Sequence, residues 1–338
     1  MSAVRIRVNP RHLPLIATTG VCLLLYLGAC LRYDSFFSSR VLVNLVADNA
    51  FLGITAIGMT FVILSGGIDL SVGSMVGLTS ILTAALVTQH GLHPVLAAPL
   101  VLGTGLLIGA AMGCLIGFFE LPPFLVTLAG MFLARGLGFV ISMESIPISH
   151  PLYNRLSEMA LPLGPSVSLP LTAIVFLAMT VLAAALAYYS KFGRTVYAIG
   201  GSEASALLMG LPVVRTKVLL YAFSGGCSSL AGLVYTLYTF SGYASAGTGL
   251  ELDAIAAVVI GGTLLTGGVG YVAGTLIGVL ILGIIQTAIV FEGTLSSWWT
   301  KIAIGLLLFV FIVLQRVLSQ ARGGRTEAHF AAEQGESP

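Results

Sequence analysis

Phe61-Val-Ile-Leu-Ser-Gly-Gly-Ile-Asp-Leu-Ser-Val-Gly-Ser74 sets a Gly-Gly break and a carboxylate between two apolar runs, each long enough to cross a bilayer. Glycines there let a helix end, restart or pack closely. Lipid tolerates such a break only where protein or a water-filled cavity covers it. The pattern returns later in the chain. Leu64-Ser-Gly-Gly-Ile-x-x-x-Val-Gly-Ser-x-Val-Gly77 aligns without a gap on Leu265-Thr-Gly-Gly-Val-x-x-x-Ala-Gly-Thr-x-Ile-Gly278. A membrane chain of two related halves, each with a glycine-broken element, points to a transporter rather than an enzyme.

The composition, 57% hydrophobic and 8% charged, excludes a soluble domain. No Lys or Arg occurs between Arg40 and Arg135, a length over which a soluble fold could not present a wetted surface. A span needs roughly 20 apolar residues to cross about 30 Å of hydrocarbon, and about ten such spans are expected. They are Leu13–Leu31, Leu45–Leu64, Leu70–Thr88, Val95–Phe119, Phe124–Ser142, Leu169–Tyr189, Val218–Phe240, Leu250–Leu265, Tyr271–Phe291 and Trp298–Gln315. The expected fold is therefore all-α and polytopic, with residues 1–316 as one transmembrane domain and 317–338 as a polar, disordered cytoplasmic tail.

Orientation follows from the cations. Arg5, Arg7 and Arg11 precede the first span, Lys191, Arg194, Arg215 and Lys217 lie between the sixth and seventh, and Arg316, Arg322 and Arg325 follow the last. An even number of spans puts all three groups, and both termini, on the cytoplasmic face. If the short eighth segment only dipped into the membrane, the arginine-rich tail would end outside, so charge bias favours a true span there. Leu27-Gly-Ala-Cys30 has the form of a lipoprotein cleavage box, but the long apolar run before it reads as a first, uncleaved span. Cys22, Cys30, Cys114 and Cys227 sit in apolar spans at no metal-like spacing and read as packing residues.

Two spans carry glycine ladders, Gly105–Gly109–Gly113–Gly117 and Gly270–Gly274–Gly278, which at four-residue spacing let a neighbouring backbone approach one helix face. The proline-bearing loop Met143–Ser168 excludes a long helix and is either a connector or a docking surface.

The cytoplasmic loop 190–217 holds the second informative stretch. Within Gly193–Pro212, Ser202 is placed to cap a short helix, Glu203 suits its positive end, and Gly210 followed by Pro212 stops it. Leu207 and Met209 give that helix a compact apolar face suited to a groove on another protein. A capped helix between cationic anchors has the form of a coupling helix; the alternative is a surface helix lying on the chain's own loops. Gly193, Arg194, Gly200, Gly201, Ser202, Glu203, Leu207, Met209 and Gly210 are the candidate coupling residues. No engine accompanies them. Lys191, Lys217 and Lys301 follow Ser, Thr and Thr, whereas a phosphate-cradling loop needs Gly before its Lys. If transport consumes ATP, hydrolysis occurs on a separate subunit. No cofactor or metal is expected here, ATP and Mg belonging to that partner.

Intramembrane charge is costly, about 2.5–3.5 kcal/mol per group on insertion scales, so each case needs a reason. Asp69 either caps the helix after the break or touches substrate. Arg135 pairs with a carboxylate or backbone carbonyls along the path, or snorkels outward. Glu251 and Asp253 fall at the outer mouth of the eighth segment, where gating and solvation both fit. Ser65, Gly66, Gly67, Asp69, Ser71, Gly73, Arg135, Glu251, Asp253, Gly267 and Gly268 form the candidate pathway set. The spans hold no carboxylate–histidine chain for a proton relay. Their Ser, Thr, Asn, Gln and Tyr content suits an uncharged polyol.

Ser65–Ser74 resembles the signature of the ribose/arabinose-type permeases of bacterial ABC sugar importers. Glu251-Leu-Asp-Ala-Ile-Ala-Ala-Val-Val-Ile-Gly-Gly-Thr263 is similar to their second signature, and Gly193–Leu211 to their coupling loop. The resemblance runs in order from about Asn44 to Gln315. Asp48–Ile54, Ser145–Tyr153 and Phe291–Lys301 are similar to the galactofuranose permease subunits. One departure is Ser202, where many relatives carry Asn. The resemblance implies a fold like that of the cobalamin importer's membrane subunit and an inner-membrane location. It also implies a second permease subunit, identical or homologous, cytoplasmic ATP-hydrolysing subunits and a periplasmic sugar-binding protein. The rival readings are a permease for another sugar such as ribose, or an ion-coupled secondary transporter, which internal repeats also suggest.

Overall fold

A computed structural model describes residues 13–164, 167–296 and 298–314. The N-terminal arginines and the tail 317–338 lie outside these residues. The described chain is helical: α1 (Leu13–Arg32), α2 (Ser39–Asp48), α3 (Ala50–Leu64), α4 (Val72–Ala84, extended by a π-helical turn Ala85–Gln89), α5 (Pro94–Phe118), α6 (Pro123–Ile141), α7 (Pro151–Glu158), α8 (Leu171–Tyr189), α9 (Lys191–Gly201), α10 (Glu203–Leu208), α11 (Val213–Thr239), α12 (Leu250–Ile260), α13 (Val272–Glu292) and α14 (Trp298–Leu314). Prolines open α5, α6 and α7, where the missing N–H costs nothing. Two small pairings, Ile146–Pro147 with Ser241–Gly242 and Ala160–Gly164 with Val167–Pro170, finish the loops at one end.

Among the described residues seven helices are long and apolar enough to cross a membrane, and an eighth candidate is the pair α2–α3, which bends by 55° at Asn49. The expected second span is thus kinked, and Asn49 Nδ2 donates to the Leu45 carbonyl (2.9 Å) at the bend. The eighth expected span is not a full-length helix. α12 has 11 residues, about 16 Å, roughly half a hydrocarbon core. Its expected end at Leu265 is cut short by a turn at Gly261 and Gly262. α14 is described over Trp298–Leu314.

Burial sorts the helices into layers. α3 is buried on all sides, and α4 and most of α12 are buried too. α1, α5, α6 and α8 instead turn large apolar side chains outward, among them Leu24, Leu107, Phe132 and Val181, as helices facing acyl chains do. The first glycine ladder performs the packing expected of it. Gly105, Gly109, Gly113 and Gly117 lie against Gly225, Tyr221, Val218 and Val214 of α11.

The two repeats also match in space. Gly73 and Gly77 of α4 face the carbonyl oxygens of Gly247 and Ala244; their counterparts Gly274 and Gly278 of α13 face those of Gly261 and Ala257. A methyl group at any of the four would overlap an oxygen atom. The segment 244–261 therefore threads between the halves, its irregular part lying on α4 and its helical part on α13.

Candidate functional site

Ser190 begins the loop's structure: its Oγ accepts from the Gly193 amide (2.9 Å), and Gly193 presses on the Leu186 and Ala187 carbonyls. That tight corner turns α8 into α9. Arg194 stays exposed and reaches only the Tyr189 carbonyl (3.4 Å). Phe192 stacks on Phe61 of α3 at 6.0 Å, and Tyr197 donates to the Gly270 carbonyl (2.7 Å). Burial pushes the Tyr197 phenol pKa upward, which keeps it a donor.

α10 follows directly. Ser202 Oγ accepts from the Ser205 amide (3.2 Å), and Glu203 pairs with Lys217 at 2.6 Å. Gly210 ends the helix at φ +73°, with the Leu211 amide bonded back to the Ala206 carbonyl (3.1 Å). Ala206 faces inward, while Leu207, Leu208 and Met209 are 55%, 90% and 66% exposed. The short capped helix read from Ser202 and Gly210 is present. The preceding residues form a helix of their own, α9, which sequence reading did not separate.

α9 ends on Gly200-Gly201, and this pair meets both Gly-Gly breaks. Gly200 lies on the Leu64 carbonyl and the Gly268 amide; Gly267 packs on Gly66 and Gly200; Gly268 packs on Gly201. The Gly268 amide donates to the Leu64 carbonyl (2.9 Å), a direct bond between the two repeats. Gly66 and Gly267 occupy the same left-handed conformation, φ +83° and +85°, which a side chain would resist. Three backbones thus touch, and a Cβ at Gly200, Gly267 or Gly268 would press on backbone atoms of a neighbouring segment. The sequence contains other pairs, such as Gly225-Gly226 and Gly261-Gly262, so spacing alone did not single out these three.

Beside this junction Ser65 Oγ bonds the Val62 carbonyl (2.7 Å) and closes α3. Asp69 is fully buried. Its Oδ1 accepts from the Ser71 amide and hydroxyl (2.9 and 2.6 Å), and its Oδ2 accepts from Ser224 Oγ of α11 (2.7 Å). It braces the irregular strand leading into α4 and ties it to α11. A cleft of about 340 Å³ lies alongside, bounded by Ser65–Gly67, Glu120, Tyr221 and the Glu203–Lys217 pair.

The remaining candidates stand elsewhere. Arg135 Nη1 donates to the carbonyls of Ala244 (2.6 Å) and Ala246 (3.0 Å), which removes the snorkelling alternative. Irregular backbone at 241–249 needs such donors, and Ser80 Oγ adds another to the Tyr243 carbonyl (3.2 Å). Glu251 is not at an open mouth. Its Oε2 is buried against Gly73, within electrostatic range of Arg135. Asp253 forms an ion pair with Lys301 at 2.6 Å.

A surface helix joined through glycine backbones to two broken, buried elements is suited to transmitting movement rather than to bond chemistry. The comparisons supply the family. The family described as branched-chain amino acid transport system / permease component matches residues 41–312, from α2 into α14. The chain belongs to this permease family. It is 54% identical to the inner membrane ABC transporter permease protein YjfF of Escherichia coli K12, over 91% of this chain and 93% of that protein. It is 40% identical to the ribose import permease protein RbsC of Bacillus subtilis 168, over 83% and 86%. Against the fructose import permease protein FruG of Bifidobacterium longum NCC 2705 it is 36% identical, over 94% and 95%. No solved structure matches the chain. The permease region takes in the whole glycine junction, α10 and the Arg135 cluster.

Proposed function

We propose that this chain is the membrane-spanning subunit of an ATP-binding cassette importer that carries a monosaccharide from periplasm to cytoplasm across the bacterial inner membrane. The observation that carries the reading is the exposed Leu207–Met209 face, linked through Gly200-Gly201 to both Gly-Gly breaks. A cytoplasmic ATP-hydrolysing subunit docks on that face, and its closure moves α3 and the segment before α13 together. The sugar import permeases among the relatives, and the hydroxyl-rich buried polar set, support an uncharged sugar as cargo. Galactofuranose is the first candidate, on the local sequence similarity at Asp48–Ile54, Ser145–Tyr153 and Phe291–Lys301; ribose or another sugar is the alternative. Ten crossings, a fold like the cobalamin importer's membrane subunit and cytoplasmic termini complete the reading. In that count α14 spans, and 241–260 crosses as a broken element, half irregular and half helix. A second permease subunit, identical or homologous, and a periplasmic sugar-binding protein complete the assembly.

The coupling role is tested by replacing Glu203 and Met209 together with Ala and measuring ATPase stimulation by the sugar-loaded binding protein. Loss of stimulation with an intact assembly is expected. Stimulation at the wild-type level contradicts the docking of the ATPase on α10. Which labelled sugar the cognate binding protein retains decides the substrate.

A further inference from the structure

A second cavity lies at the end of the molecule away from the glycine junction. α13 runs about 30 Å from Val272, next to the junction, to Glu292, and its last turns form one wall. The cavity holds about 510 Å³, within the range of about 300–1,000 Å³ common for small-molecule sites. Its walls are apolar at Leu52, Leu250, Leu282 and Ile289, with polar groups from four helices set among them: Asp48, Asn49, Asp253, Gln286, Thr300 and Lys301.

We propose that this cavity is a monosaccharide subsite on the permease itself, entered before the path opens toward the junction; it rests on the sugar-importer reading above. The chemistry is that of a polyol site. Each sugar hydroxyl both donates and accepts, and the lining offers carboxylate acceptors, amides, a hydroxyl and an ammonium. Lys301 already neutralises Asp253, both oxygens lying within 2.7 Å of Nζ, which leaves Asp48, bonded by the Tyr238 hydroxyl (3.4 Å), as a single carboxylate able to accept from a sugar hydroxyl. Gln286 and Thr300 make no side-chain hydrogen bond among the described residues and remain available to a ligand. Phe51, braced edge-on by Tyr235 at 5.6 Å, supplies an aromatic surface for the C–H face of a sugar ring.

Position adds a second argument. The cavity is bounded by the start of α3 at the 55° bend, the start of α12 and the end of α13. The other ends of these same helices reach Gly66, Gly261 and the Gly267-Gly268 turn. A ligand seated here touches the far ends of α3 and α13, whose near ends meet at the junction, and of α12, which packs on α13.

The test uses the complete importer in proteoliposomes, with Asp48→Asn and Gln286→Ala made separately and labelled sugar supplied on the loaded binding protein. At limiting sugar each variant is expected to lose uptake about tenfold or more, the scale of one lost hydrogen bond to a charged or buried group. ATPase stimulation by the loaded binding protein and the thermal unfolding temperature stay at wild-type values, so hydrolysis runs uncoupled from import. Wild-type uptake in both variants overturns the subsite. So does a parallel fall of uptake and ATPase stimulation, which marks damage to coupling. Failure of the wild-type importer to take up any monosaccharide sinks the sugar reading itself, and the subsite with it.

Discussion

Arg135 shows why a charge can stand in an apolar helix. Its guanidinium holds two buried carbonyls, Ala244 and Ala246, that belong to no helix or strand. Arg135→Ala leaves both unpaired, at about 1–3 kcal/mol for each buried group without a partner. Thermal unfolding of the purified subunit should show a clear loss of stability, with Arg135→Lys between the two; an unchanged transition would remove this role. Asp69 behaves likewise as a brace, its two oxygens satisfied by Ser71 and Ser224. The sequence showed that both residues needed a partner, since an unpaired charge in a span is costly. It could not name the partners. Those of Arg135 lie 109 and 111 positions away, on the Ser- and Gly-rich segment 241–249, whose composition marks a loop but not its place against α6.

At the scale of elements, the repeat was the most legible feature and its meaning the least. Aligned glycines foretold a shared conformation, and Gly66 and Gly267 do share one. That the two breaks would touch each other, with the end of α9 wedged on both, depends on how the halves fold over one another, which periodicity does not encode. The eighth segment erred for a related reason. Its apolar run reads as one helix, yet the chain turns at Gly261 so that α12 can lie on the α13 glycines. Gly200→Ala tests the junction. Its added methyl would overlap the Leu64 carbonyl, and backbone cannot yield as a side-chain tip can. Sugar uptake should be lost, with destabilisation of about 1–3 kcal/mol or more in a denaturation series. Gly201→Ala, which meets nothing, should import normally. Equal behaviour of the two variants would deny the junction its importance.

Over the whole molecule, a buried centre is wrapped by helices with outward apolar faces, and in the proposed importer α10 serves as its handle. α3, α4 and α12 flank the breaks, and α10 projects from the centre with Leu207, Leu208 and Met209 exposed. Membrane class and the positions of seven of the expected spans were readable from composition and apolar runs, because lipid imposes length and polarity so strictly. Sugar preference is not written in the same way, since in the proposed importer a separate binding protein shares the selection. The most direct measurement of the account is uphill sugar uptake into proteoliposomes containing this subunit with and without its ATP-hydrolysing partner. Accumulation only when the partner, ATP and loaded binding protein are all present is the predicted result. Accumulation by the membrane subunit alone, driven by an imposed proton or sodium gradient, would contradict it.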